Sequence, residues 1–162
     1  MSVNKFLVLV IASFAIVTGA MAASNSRELS VDGNYMIVDG QSASLLNASL
    51  GQFLTPQFLI VTTLTSQQNF VYSGTSIGLG GKYYFMDGFK GDLIPFAGLG
   101  IGLRMAATAT YSNHGSTQYE VNAGVSYFLS DSTTLDAKIK LLNFNDSSPS
   151  VTMLSAGFGQ RF

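Results

Sequence analysis

The sequence predicts an all-β fold: an eight-stranded, antiparallel, up-and-down transmembrane β-barrel that follows a cleavable signal peptide. Through most of the chain, apolar residues alternate with polar residues or glycine in extended segments, the pattern of strands with one face in lipid. The chain beyond the signal has no continuous apolar run of the roughly 18 residues that a spanning helix needs. A closed barrel is the other structure whose backbone groups are all paired within lipid.

The N-terminus has the pattern of a secretory signal. Lys5 precedes the apolar stretch 6–17, and small residues follow at 20–23. This order predicts cleavage after Ala22 or Ala23. The apolar stretch is shorter than the roughly 18 residues of a membrane anchor. We therefore expect two parts, a signal peptide at 1–22 and one outer-membrane barrel domain at 23–162.

Composition narrows the possible classes. The chain contains no cysteine, so neither a lipid-modified N-terminus nor a disulfide framework is expected. With Lys5 removed, seven basic and nine acidic residues remain, a net charge of about −2, so bulk charge does not favour nucleic acid. With one histidine and no cysteine, the composition predicts no metal site, and we expect no cofactor.

Turn residues divide the chain into extended segments. Gly, Asp, Asn, Ser and Pro are concentrated between them, as turns require. The number of segments is even, as a single-chain bacterial barrel requires. If both termini face the periplasm, the first, third, fifth and seventh connections face outside, and all four are short. The predicted strands are 28–38, 43–54, 57–66, 73–85, 93–110, 117–129, 133–144 and 150–162.

Alternation assigns the two faces in six of these segments, whereas the second and third segments give no clear face. The residues expected to meet lipid are apolar for the most part. They include Ile77, Leu79, Tyr83 and Phe85, then Ala97, Leu99, Ile101 and Leu103, then Tyr119, Val121, Ala123 and Val125, then Leu135, Ala137, Ile139 and Leu141, and finally Leu154, Ala156, Phe158 and Phe162.

The charged residues of the six segments all fall on the opposite face. A Lys or Arg on the lipid face costs roughly 2–4 kcal/mol at the midplane, so this face is the lumen. Opposite charges in a narrow lumen of low dielectric constant are expected to pair, which predicts a filled, salt-bridged interior without a wide pore. The predicted lumen network comprises Asp32, Lys82, Arg104, Glu120, Asp136, Lys138, Lys140 and Arg161, together with Glu28.

Two further sets of residues fit a narrow barrel. Aromatic residues near strand ends predict interfacial girdles, one of Tyr83, Tyr84, Phe85, Tyr127, Phe128 and Phe162, and the other of Tyr35, Tyr72, Tyr111 and Tyr119. Glycines on the inward face are expected to leave room for long charged side chains, namely Gly78, Gly80, Gly98, Gly100, Gly102, Gly124, Gly157 and Gly159.

Three stretches resemble the small outer-membrane barrel family that includes the OmpA transmembrane domain, OmpX-like and opacity-type proteins. They are Lys82-Tyr83-Tyr84-Phe85, the stretch 93–102 and the terminal stretch 156–162. The resemblance implies a monomer in the outer membrane of a Gram-negative envelope. It also implies contacts with outer-membrane lipids and lipopolysaccharide, and insertion by periplasmic chaperones and the barrel-assembly machinery. Phe158 and Phe162 are the expected assembly signal, and Gln160 departs from the apolar or aromatic residue usual there.

We expect a structural barrel of the bacterial envelope and no enzyme. The first alternative is a narrow, porin-like channel for small solutes or ions through the polar lumen. A lipid A-modifying enzyme would need a catalytic set from His114, Ser116 and Glu120, but Glu120 is predicted to face inward. A soluble lipocalin-like binder would need the opposite assignment of faces. Lipopolysaccharide phosphates would be contacted by basic residues at the rim, and only Arg27 and Lys90 lie outside the predicted strands.

Overall fold

The computed structural model describes residues 26–38, 41–68, 73–87, 91–106, 116–145 and 150–162. All eight predicted strands are present, and their described ends lie within two residues of the predicted ones. The one exception is the end of the fifth strand, whose predicted residues 107–110 lie outside the described residues. The strands are β1 (Arg27–Val38), β2 (Gln41–Thr55), β3 (Phe58–Gln68), β4 (Ser73–Tyr84), β5 (Leu93–Ala106), β6 (Ser116–Ser130), β7 (Thr133–Phe144) and β8 (Val151–Arg161).

Each strand pairs with the next one in antiparallel fashion, and β8 pairs with β1 to close the barrel. The closing ladder runs from Glu28 opposite Arg161 to Tyr35 opposite Leu154. It continues to the last residue, because the Arg27 N–H donates to the Phe162 carbonyl at 2.8 Å and the Phe162 N–H donates back at 3.0 Å. Closure leaves no sheet edge open, which is the condition for placing strands in lipid.

Ser26, the first described residue, and the C-terminal Phe162 lie at one end of the barrel, here called the terminal end, and the opposite end is called the distal end. At the terminal end, tight turns join β2 to β3 and β6 to β7. The Thr55 hydroxyl accepts hydrogen bonds from the Gln57 and Phe58 backbone N–H groups at 3.3 and 3.0 Å, which fixes the β2–β3 turn. Gly91 precedes β5 with a φ of 121°, a conformation that favours glycine.

Alternation along each strand separates a lipid-facing wall from the lumen. On the outer wall Leu99 and Leu154 are 67% and 66% exposed, whereas the inward Glu28 is 2% exposed. The described residues contain no helix long and apolar enough to cross a membrane. The apolar outer face and the charged inner face therefore agree with the predicted assignment, and a lipocalin-like arrangement with an apolar interior and a polar exterior does not fit.

The structure also gives the faces of β2 and β3, which the sequence left ambiguous. Odd-numbered residues of both strands face inward, as the buried Leu45, Asn47 and Leu59 show, while Leu46 is exposed on the outer wall. Leucine therefore occupies both faces at 45 and 46, and this is why periodicity alone could not assign them.

One part of the predicted aromatic girdle is wrong. Tyr84 is fully buried in the lumen, and Phe128 faces the same interior, where the Arg161 guanidinium lies 4.5 Å from its ring centre. Their neighbours Tyr83 and Tyr127 are exposed on the outer wall. Adjacent aromatic residues in a strand point to opposite faces, so only one of each pair can belong to an interfacial belt.

Candidate functional site: the barrel lumen

Glu28 is the centre of the charge network at the terminal end of the lumen. Its carboxylate accepts hydrogen bonds from the Tyr84 hydroxyl at 3.0 and 3.2 Å and from the Arg161 Nε at 3.0 Å. The Lys82 Nζ lies 3.7 Å away. Because Glu28 is on β1, Tyr84 and Lys82 on β4 and Arg161 on β8, one buried carboxylate joins opposite walls of the barrel.

Lys82 extends the network across the lumen to β7. Its ammonium group contacts the Asp136 carboxylate at 2.7 Å, and the Ser126 hydroxyl donates to the same carboxylate at 2.6 Å. A charge this deep in the barrel is tolerated only when partners surround it, because an unpaired buried charge costs several kcal/mol. Asp136 and Lys82 therefore complete one continuous network with Glu28.

Two more ion pairs lie further from the terminal end. Lys138 pairs with Asp32, which also accepts a hydrogen bond from the Asn47 side chain. The Lys140 Nζ lies 3.3 Å from the Glu120 carboxylate, and the Asn122 amide donates to Glu120 at 2.7 Å. In this arrangement every carboxylate of the described lumen has a cationic partner.

Arg104 is the one predicted lumen residue that the structure leaves outside the ion pairs. Among the described residues it forms no ion pair, and its guanidinium lies 5.3 Å from the centre of the Phe144 ring near the distal end. Among the described residues the lumen contains five cations and four carboxylates, so Arg104 is the surplus positive charge of this set.

An apolar and aromatic cluster closes the lumen at the terminal end. Phe53, Leu59, Tyr84 and Phe96 are between 0% and 4% exposed and pack together. The two cations of the network lie against their rings. The Lys82 ammonium is 4.1 Å from the centre of Phe96, and the Arg161 guanidinium is 4.7 Å from that of Phe53. Cation–π contact of this kind is worth most in a desolvated site.

A second, smaller apolar cluster lies near the distal end. Leu45, Leu142 and Met153 are buried there, with Phe144 and Val151 packed against them. Sequence reasoning missed both clusters because it assigned apolar residues to the lipid. The position in the alternation could have revealed the second cluster. Leu142 is an even-numbered residue of the same strand as Lys138 and Lys140, so it must face the lumen as they do.

Little space remains between the two clusters. The lumen contains a cavity of about 80 Å³ lined by the ion pairs, and a smaller one of about 20 Å³ beside Arg104. Inward glycines make this filling possible. A Cβ on Gly124 would approach the Ala137 carbonyl to 2.2 Å and the Lys138 Cβ to 2.7 Å, so only glycine fits beside that lysine.

The other predicted residues are those of the assembly signal, the outer aromatic girdle and the considered catalytic set. Phe158 and Phe162 are exposed on the outer wall, and their role as an assembly signal stays a prediction. His114, Tyr72 and Tyr111 lie outside the described residues. Glu120, the acid of the considered catalytic set, is paired with Lys140 inside the barrel. The described residues contain no group of three or more His, Asp or Glu side chains that could hold a metal ion.

The comparison with protein families decides the classification. Residues 6–162 match the family model described as outer membrane protein beta-barrel domain. The chain belongs to this family. Membership of the outer membrane protein beta-barrel family places the chain in the outer membrane, whereas cleavage of the signal at 1–22 remains a prediction. No curated protein matches the sequence.

Solved structures show the same fold at low sequence identity. The N-terminal β-barrel domain of Pseudomonas aeruginosa OprF is 22% identical, with a TM-score of 0.71 over 86% of this chain and 98% of that one. Neisserial surface protein A is 19% identical, with a TM-score of 0.66 over 85% and 96%. OprG from Pseudomonas aeruginosa is 13% identical, with a TM-score of 0.52 over 86% and 96%. These likenesses concern the fold alone.

Proposed function

We propose that this outer membrane protein beta-barrel is a structural component of the bacterial envelope that does not conduct and is not an enzyme. The observation that supports this most directly is the apolar packing at both ends of the lumen. Tyr84 and Phe96 close the terminal end, and Leu142 and Met153 close part of the distal end. Between these clusters each carboxylate of the described lumen is paired with a cation, so none is left free for a substrate.

The expected partners follow from the charges outside the lumen. The four distal connections contain no Lys or Arg. Of the two remaining basic residues, Arg27 lies at the terminal end, and Lys90 lies outside the described residues. Contact with lipopolysaccharide would therefore use acyl chains against the apolar wall. If the terminal end faces the periplasm, Arg27 lies near the phospholipid headgroups of the inner leaflet. A monomer inserted by periplasmic chaperones and the barrel-assembly machinery fits this arrangement.

A narrow channel is the second candidate, and Arg104 favours it. As the surplus cation of the lumen, Arg104 would make any open pathway selective for anions. Its position near the distal end would place it at the entrance of that pathway.

Single-channel recording in planar bilayers distinguishes the two candidates. We expect the refolded mature protein, with folding verified by heat-modifiable gel migration, to give no conductance steps. The variant Phe96→Ala, which removes a side chain from the terminal cluster, serves as an opened control and is expected to give small steps. Steps from the unmodified protein that change on Arg104→Gln would establish the lumen as a pathway and contradict a closed barrel.

A further inference from the structure

The junction between β1 and β8, here called the seam, differs from the other strand junctions because no turn joins its two strands. Backbone pairing from Glu28–Arg161 to Tyr35–Leu154 holds it. On its inward face β1 contributes two carboxylates, Glu28 and Asp32, and no cation. The cations that face them come from other strands, so the seam is lined by complementary charge.

Both carboxylates reach across the seam. Glu28 pairs with Arg161 of β8 directly, with 3.0 Å between the Arg161 Nε and a carboxylate oxygen. Asp32 reaches past β8 and pairs with Lys138 on β7. Among the described residues there are five ion pairs, and three of them use these two carboxylates. By contrast, the Glu120–Lys140 pair joins β6 to β7, which a short turn already connects.

Strand β8 has a glycine, and therefore no side chain, at the point where Asp32 crosses it. Gly157 lies opposite Asp32 on one side and opposite Asp136 on the other. A Cβ on Gly157 would lie 2.7 Å from the Asp32 Cβ, closer than two such atoms can approach. The glycine therefore leaves the gap through which the Asp32 carboxylate reaches Lys138.

The same carboxylates also anchor β1 to the rest of the wall. Asp32 accepts a hydrogen bond from Asn47 on β2, and Glu28 accepts one from Tyr84 on β4. These contacts fix each carboxylate on the side away from the seam. A cation on β7 or β8 then binds an acceptor that is already held in place.

We propose that Glu28 and Asp32 form an internal latch that keeps the seam shut, by binding β7 and β8 from inside the lumen. The latch acts on the seam alone, while the other junctions depend on their turns and ladders. Loss of one latch carboxylate then loosens β1 and β8 locally, without an equal effect on the β6–β7 hairpin.

Hydrogen–deuterium exchange of the refolded mature protein in phospholipid vesicles tests the latch. The variant Asp32→Asn is compared with Glu120→Gln, which removes a lumen carboxylate from β6, away from the seam. With Asp32→Asn we expect backbone amides of β1 and β8 to exchange about tenfold faster or more, because an unpaired buried Lys138 remains, and those of β6 to stay unchanged. Glu120→Gln should leave the seam amides unchanged.

A pair of glycine variants keeps the test valid if Asp32→Asn does not fold. Gly157→Ala crowds Asp32 while all charges are kept, whereas Gly100→Ala places its Cβ 3.6 Å from the Glu120 Cβ, an ordinary contact. The latch predicts faster seam exchange for Gly157→Ala only. Equal acceleration of exchange at every junction, or acceleration of the seam by Glu120→Gln, would overturn the proposal.

Discussion

Replacing Glu28 by Gln should lower the free energy of unfolding of the barrel by about 3–5 kcal/mol, the cost of breaking a buried ion pair from one side. The Glu28 carboxylate is 2% exposed and binds Tyr84, Arg161 and Lys82. Glutamine keeps the size of the side chain but not its charge. Arg161 would then be left buried against rings without a carboxylate partner, while Lys82 would keep Asp136.

Reversible urea unfolding of the mature protein in vesicles, followed by far-UV circular dichroism, measures this loss. The chain has no tryptophan, so backbone dichroism is the more direct signal. Glu120→Gln is the matched control, because the Glu120 side chain is 21% exposed and, among the described residues, has one cationic partner, Lys140 at 3.3 Å. Its loss should be less than half as large. Equal losses in the two variants would show that Glu28 is not the centre of the network.

Placing an arginine at Leu99 should lower the free energy of unfolding in vesicles by about 2–4 kcal/mol and reduce the yield of folded protein. Leu99 is 67% exposed and lies in the middle of β5, on the wall that faces lipid. A guanidinium there must leave water for the hydrocarbon core, or the bilayer must thin around it. The same urea titration, together with gel migration of the heated and unheated protein, measures both effects.

Leu93→Arg is the control for depth in the membrane. Leu93 lies on the same strand and the same face, is 52% exposed, and begins β5 at the terminal end. Near the interface an arginine costs only about 0–1 kcal/mol. If both variants lose the same free energy, the middle of β5 does not lie at the midplane of a bilayer, and the assignment of the outer wall would be incorrect.

The local sequence pattern was sufficient to predict the strands, because apolar residues alternate with a period of two and turn residues interrupt this alternation at regular intervals. It was also sufficient to place the charged residues inside, since β7 sets Asp136, Lys138 and Lys140 against an apolar row. It was not sufficient for β2 and β3, where leucine occupies adjacent positions. There the inward face is decided by the neighbouring strands.

The contacts within the lumen could not be predicted in the same way. Glu28 and Arg161 are 133 residues apart, and their meeting depends on the register in which β1 and β8 close. No local pattern sets that register. The buried clusters were missed for a different reason: Phe96 and Met153 share the parity of the inward charges Arg104 and Arg161, but apolar residues were assigned to the lipid without regard to that parity.

The pairing of Arg27 with Phe162 closes the barrel at a junction where no turn connects the two strands. Seven of its junctions close by forming a hairpin, and the eighth must bring together residues 133 positions apart. Loop-closure entropy makes that step costlier than a hairpin by about 3 kcal/mol. A circular permutant that joins the two ends and opens another turn would move this entropic cost to a different junction, while every contact of the finished ring stayed the same.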